Sequence, residues 1–199
     1  KQNGWAGLVL SEAAGCFPDL MALKAAGQPV VANHLREVYR VDSPAGKAYF
    51  KCLYRIRKQT PLLKKLTEWV KFCFRGPRSL AVLRLTDALL SAGVGCPQTL
   101  LAARCKAGSS LSEIIISREI PWPTVKTLLE QASCDVARKE ILLQTARGLQ
   151  RFHQLGFVHG DCLPGNLCLS PEGKLYFLDN DRSGRACPLW RKRAQRRNL

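Results

Sequence analysis

His159, Asp161 and Asn166 stand in the order H-x-D-x-x-x-x-N, and a second carboxylate, Asp179, follows at the end of an apolar run. These residue types at this spacing suit phosphoryl transfer from a magnesium-bound triphosphate. One carboxylate faces the attacking hydroxyl, while an amide oxygen and another carboxylate hold the cation. Gly160, Pro164 and Gly165 force an irregular loop between Asp161 and Asn166, so both side chains can face one cleft. Leu167, Cys168 and Leu169 read as a short strand, Ser170-Pro171-Glu172-Gly173 as a turn, and residues 174–178 as a returning strand that delivers Asp179 to the loop. Taken singly, each residue reads as an ordinary cap or core residue. The weight lies in three identities at fixed spacing followed by strand, turn and strand.

HGDCLPGN followed by YFLDNDR resembles the catalytic and metal-binding loops of the protein-kinase-like superfamily, with Gly160 where typical protein kinases carry arginine and D-N-D in place of D-F-G. Within that superfamily, GFVHGDCLPGNL with KLYFLDNDR is most similar to bacterial lipopolysaccharide core kinases, which phosphorylate heptose or Kdo sugars. REVYRV from Arg36, a turn at Ser43-Pro44-Ala45-Gly46 and KAYFKCLYR from Lys47 resemble that family's paired strands before the ATP lysine. The resemblance runs from Val30 to the C-terminus and implies an α+β, two-lobed protein-kinase-like fold. Residues 1–120 would form a small β-rich N-lobe and residues 121–199 a mainly helical C-lobe carrying both loops. It implies ATP and Mg2+ as cofactors. Asp161 would orient the acceptor hydroxyl and take its proton, Asn166 and Asp179 would hold magnesium, and Lys51 would grip phosphate oxygens. His159 would pack and hydrogen-bond to hold the loop. Asp181 stands open between a second metal ligand and a partner for Arg182. Without the arginine at position 160, control through a phosphorylated activation loop loses its usual anchor.

The elements that must position these groups are legible in part. Alternation places Val38, Tyr39 and Val41 before the turn and Ala48, Phe50 and Cys52 after it, and sends Lys51 to the face opposite Phe50. No G-x-G-x-x-G is present, which leaves backbone amides near residues 27–33 to cover phosphate. Leu62, Leu63, Leu66, Trp69, Val70 and Cys73 predict a helix ended by Gly76-Pro77, in a neighbourhood made basic by Lys58, Lys64, Lys65, Lys71, Arg75 and Arg78. A second helix runs from Ser79 to Ala92 without a glutamate to hold Lys51. Asp87, near Leu80, Leu83 and Leu90 on the helical wheel, is expected to be buried and to need such a partner, with Glu68 as its rival. Residues 94–103 and 110–116 read as strands whose junction would be the hinge, with the adenine-binding backbone at residues 113–116. Pro121-Trp122-Pro123 is a rigid linker, and residues 135–155 form the long helix beneath the loop, with His153 a core or helix-end residue. Residues 1–21 show no strong period.

A length of 199 residues with 46% apolar content allows one compact unit or two lobes around a real core. The formal charge of +16, from 31 basic and 15 acidic residues, attracts nucleic acid, anionic headgroups or phosphorylated sugars without choosing among them. With the motif, it favours lipopolysaccharide core or another anionic glycolipid as substrate, with peripheral contact at an anionic inner-membrane surface. Nucleic acid is not expected, because aromatics are not interleaved with the basic runs, although the basic tail at 190–199 could act as an arm. Nine scattered cysteines without a C-x-x-C pair read as reduced thiols, and there is neither a signal segment nor an apolar stretch near 18 residues. A cytoplasmic protein is expected, since ATP is available there. The chain opens on Lys1 and ends 20 residues after Asp179, which reads as a fragment with a truncated C-lobe. The alternatives are a pseudokinase acting as a scaffold, favoured by the missing glutamate, and an aminoglycoside- or choline-type phosphotransferase. The latter shares HGD-x-x-x-x-N but typically has an acidic acceptor cleft.

Overall fold

The structure, a computed structural model, describes residues 5–56, 60–107 and 110–185, with side chains except at 69, 71–75, 106 and 107. The basic tail at 190–199 and Lys58 lie outside the described residues. Residues 1–84 with 98–119 make one compact unit, and residues 85–97 with 120–199 make a second. Segment 85–97, which the sequence grouped with the N-lobe, therefore packs with the C-terminal part.

The first unit begins with β1 (Trp5–Val9) and α1 (Leu20–Ala26), followed by β2 (Gln28–Ala32), β3 (Arg36–Ser43) and β4 (Gly46–Ile56). Then come α2 (Leu62–Arg75), α3 (Arg78–Ser91, whose second half belongs to the other unit), β5 (Thr99–Ala107) and β6 (Ser110–Arg118). The strands form one antiparallel sheet in the order β1-β5-β6-β4-β3-β2. The β3–β4 pair is the one the alternation predicts, closed at Ser43 and Gly46, where the serine hydroxyl donates to the Gly46 carbonyl at 2.8 Å. Ala48, Phe50 and Cys52 enter a core with Phe17, Leu20, Val41, Leu100 and Ile116. Leu53, on the Lys51 face, packs with Val82 of α3 and Ile115. Residues 113–116 of β6 are buried in an unbroken run, the mark of a strand covered on both faces.

β1 and the first residues of α1 fall in the stretch that shows no period. β1 is an edge strand whose Leu8 and Val9 stay exposed, so burial does not impose alternation on it. Asp19 caps α1 by accepting from the Met21 and Ala22 amides at 2.8 and 3.0 Å. Lys24 of α1 then pairs with Glu37 of β3, and Tyr54 of β4 donates to the same carboxylate at 2.8 Å. Partial burial opposes the charge on both partners, yet these hydrogen bonds prevail. They hold the Glu37 carboxyl below its ordinary range and push the Lys24 ammonium up.

The expected hinge is corrected. β5 and β6 are joined as a hairpin, and the backbone of residues 113–116 is laddered to β4 on one side and β5 on the other. Its N–H and C=O groups are spent within the sheet, so adenine cannot be received there. The chain leaves the first unit at Glu119, whose amide donates to the Lys47 carbonyl at 2.9 Å and whose carboxylate pairs with Arg40 at 3.0 Å.

In the second unit α3 ends at Gly93, which takes φ 74° and lets the Val94 amide reach back to the Leu89 carbonyl at 2.9 Å. After the proline linker Thr124 caps a short helix that the sequence did not reveal, α4 (Val125–Gln131), and α5 (Asp135–Gln154) follows as expected. The remaining strands are short: β7 (Phe157–Val158), β8 (Leu167–Leu169), β9 (Leu175–Phe177) and β10 (Gly184–Arg185). β8 and β9 form the predicted hairpin, and β10 pairs with β7. Phe152, Phe157 and Phe177 fill the core beneath them, Phe152 and Phe177 stacked with centroids 4.1 Å apart.

Candidate active site

The loop between β7 and β8 and the turn after β9 meet through His159. Its ring is buried, its Nε2 lies 2.7 Å from the Leu178 carbonyl, and its Nδ1 lies 3.3 Å from the Asp161 amide. A carbonyl can only accept, so Nε2 carries the proton and Nδ1 accepts from Asp161. One imidazole thus ties the residue before Asp179 to the backbone of Asp161. Phe177, at a centroid distance of 5.9 Å, packs against its ring. This is the loop-holding role that the sequence implied.

Asn166 makes the second tie. Its Nδ2 donates to the Asp161 backbone carbonyl at 2.9 Å and to the Asp161 carboxylate at 3.1 Å, while the Asn166 backbone carbonyl accepts from the Leu178 amide at 2.8 Å. With the amide nitrogen committed to Asp161, the side-chain oxygen is the atom that retains lone pairs for a cation. Asp179 follows in the left-handed region at φ 49° and ψ 52°, alone among the described non-glycine residues in having positive φ. An aspartate held there by its surroundings is the kind of local strain found at functional sites. Asn180 anchors the turn by donating to the Phe177 carbonyl at 2.7 Å.

Asp161 is half-buried, and beside it Leu163 is 58% exposed. Burial, with the Asp161 charge as a second cause, pushes the Cys162 thiol up to about 11, so it stays protonated at neutral pH. Asp181 sits half-buried in the turn of residues 180–182.

The sequence profile of the lipopolysaccharide kinase (Kdo/WaaP) family matches residues 25–199. The chain belongs to that family. Its α+β architecture is the two-lobed, protein-kinase-like fold. A 3-deoxy-D-manno-octulosonic acid kinase of Xylella fastidiosa (strain M12) is 27% identical over 118 residues, 58% of this chain and 46% of that protein. The match thus spans about half the length of this curated relative.

For a member of the lipopolysaccharide kinase family the donor set fits a hard divalent cation. Asn166 and Asp179 offer oxygen only, and the Asn166 amide is oriented by Asp161 to present its oxygen. Among the described residues no group of three or more His, Cys, Asp or Glu gathers into a metal cluster, so any magnesium site here relies on phosphate and water for its other ligands.

In the first unit Lys51 lies in the middle of β4, opposite Val38 and Ile115, on the face away from Phe50. Apart from the edge strand β1, β4 is the third strand in chain order, the place where kinase-like folds carry the phosphate-binding lysine. The expectation for Asp87 is corrected: it is exposed, so no burial cost demands a counter-ion. Its helix turns Val82, Leu83, Thr86 and Leu89 inward instead. Glu68, the rival, lies 3.5 Å from Arg55. The sequence missed Arg55 because a bulge between Tyr54 and Ile56 interrupts the alternation there. Arg55 also faces the buried Glu113 at 3.6 Å. In the stretch expected to cover phosphate, Gly27 closes α1 with its amide on the Lys24 carbonyl at 3.1 Å, residues 28–32 form the edge strand β2, and at the β2–β3 turn the Asn33 side chain accepts from the Leu35 and Arg36 amides at 2.9 Å each.

Proposed function

We propose that this chain transfers the γ-phosphoryl group of ATP to a sugar hydroxyl of lipopolysaccharide core, Kdo or heptose, or of a related anionic glycolipid. The observation that carries the reading is the joined loop pair. One histidine and one asparagine fix Asp161 next to Asn166 and tie both to the residue before Asp179. Family membership supplies the reaction class, and the name of the Xylella relative favours Kdo as acceptor.

In this reaction the acceptor oxygen forms a bond to the γ-phosphorus as the bond to the β–γ bridging oxygen breaks and ADP leaves. Asp161 orients the hydroxyl and accepts its proton late. Lys51 neutralises phosphate oxygens. Magnesium, when held by Asn166 and Asp179, would shield the charge that collects on the triphosphate. We assign the reaction to the cytoplasmic face of the membrane, where ATP is available. Among the described residues no helix is long and apolar enough to cross a membrane.

The test is magnesium-dependent ATP consumption with and without deacylated lipopolysaccharide core. Turnover should require the acceptor and fall more than ~100-fold in Asp161→Asn and in Asp179→Asn. Near-normal rates in either variant would remove the assigned roles, and nucleotide binding without turnover would point to a pseudokinase.

A further inference from the structure

We propose that the outer face of α2 is a docking surface for an anionic lipid bilayer, with Leu62, Leu63, Leu66 and Val70 entering the boundary between headgroups and acyl chains. This deepens the glycolipid-kinase reading and rests on it for the purpose of docking, namely to meet a lipid-linked acceptor.

A helix at the surface of a globular protein turns its apolar stripe toward the core. Four apolar residues of α2 do the reverse. Leu62 is 83% exposed, Leu63 75%, Leu66 61% and Val70 48%. At about 100° per residue these four fall within an arc of about 100° along ~12 Å of helix. Glu68 lies roughly opposite that arc, on the side where Arg55 of β4 meets it at 3.5 Å. The helix therefore turns Glu68 to the sheet and presents Leu62, Leu63, Leu66 and Val70 to solvent. Single exposed leucines are common, but a contiguous group of this kind marks an interaction site.

Charge selects the occupant. Between residues 62 and 78 the chain carries Lys64, Lys65, Lys71, Arg75 and Arg78 against one acid, Glu68, which is engaged with Arg55. The first turn of α2 has no acidic residue and holds both Lys64 and Lys65, where the helix N-terminus is itself positive. A second copy of the chain would bring the same excess of cations face to face, within a molecule of net charge +16. A bilayer with anionic headgroups supplies an apolar phase for the leucines and negative charge for the lysines at once.

The experiment is co-sedimentation of the full chain with vesicles of phosphatidylcholine alone and of phosphatidylcholine mixed with phosphatidylglycerol, without nucleotide or acceptor. Binding should favour the anionic vesicles. It should weaken about 10-fold or more in the double variant Leu62→Ser, Leu66→Ser, and lose its anionic preference in Lys64→Glu, Lys65→Glu. Circular dichroism checks the fold. If the double leucine variant unfolds, Leu62→Gln alone should give the same loss at smaller amplitude. Turnover on deacylated, soluble acceptor should be unchanged in these variants. The proposal is overturned by equal binding to both vesicles, by leucine variants that bind like the parent, or by a concentration-dependent dimer that those variants dissociate. Vesicle binding without turnover would remove the kinase reading and leave the docking surface standing.

Discussion

A methyl group at residue 160 would sit 2.2 Å from the carbonyl oxygen of Arg182 and 2.3 Å from its Cβ. Backbone cannot yield to such a contact without moving, so the turn of residues 180–182 and the loop of Asp161 fit together only around glycine. This is the physical reason for the departure from protein kinases at this position: no side chain, arginine included, has room. Gly160→Ala should lower turnover by about 10-fold or more by displacing Asp161 from Asn166 and Asp179. Gly165→Ala, where an added methyl meets nothing within 4 Å and φ is ordinary, should stay near the parent rate. Equal effects of the two substitutions in the acceptor-dependent ATP assay would show that the contact with Arg182 does not set the loop.

Among the elements, α3 owes its start to another strand. The Glu113 carboxylate, buried on β6, accepts from the Ser79 amide at 2.6 Å in the first turn of α3 and faces Arg55 on its other oxygen. A carboxylate suits that place because the first amides of a helix lack partners within it and point positive charge outward. The sequence shows Glu113 only as an interruption in an apolar strand, and the chain separation of 34 residues from Ser79 hides the link. Glu113→Gln should keep the shape but weaken the charge-assisted bond, lowering unfolding free energy by about 1–3 kcal/mol in urea titration. An unchanged urea midpoint would mean that α3 needs no cap from the sheet. The same cluster explains α2, since Arg55 holds Glu68 and leaves the leucine face outward.

For the whole molecule, stability should fall at both ends of the pH range, for different groups. Burial pushes the Cys96 thiol from 9.0 up to about 12, with the Asp87 charge as a second cause. Burial likewise pushes Cys168 up to about 11, the value Cys162 also reaches. The unfolded chain releases these protons first, so the folded state is favoured below the ordinary thiol value of 9.0 and loses that advantage as pH climbs through 11 to 12. Lys24, raised by Glu37 and Tyr54, adds to the alkaline loss. Glu37 acts in the other direction: its contribution is complete above its ordinary value of 4.5 and is lost as pH drops through its lower folded value. Thermal melts should show a plateau between about pH 5 and 9. Cys96→Ala should flatten the alkaline limb, and an unchanged slope would remove the buried thiol as its cause. Among the residues whose side chains the structure describes, seven cysteines stand outside any disulfide.

The amino-acid sequence by itself determined what is local. The H-x-D-x-x-x-x-N loop, the β8–β9 hairpin, the paired strands β3 and β4, and the helices α2, α3 and α5 all follow from turn residues and periodicity over a few positions. The family, too, was legible, because its motifs lie within single stretches of chain. Tertiary structure alone decided what depends on covering and on distant partners. Only packing shows that Asp87 faces solvent, that Leu62, Leu63, Leu66 and Val70 of α2 face outward, that Glu113 caps α3, and that β10 returns to β7. The edge strand β1 and the short helix α4 leave too weak a pattern to read, the first because an edge is not forced to alternate and the second because seven residues span barely two helical turns. Periodicity states which residues share a face. It takes the folded chain to state what that face meets.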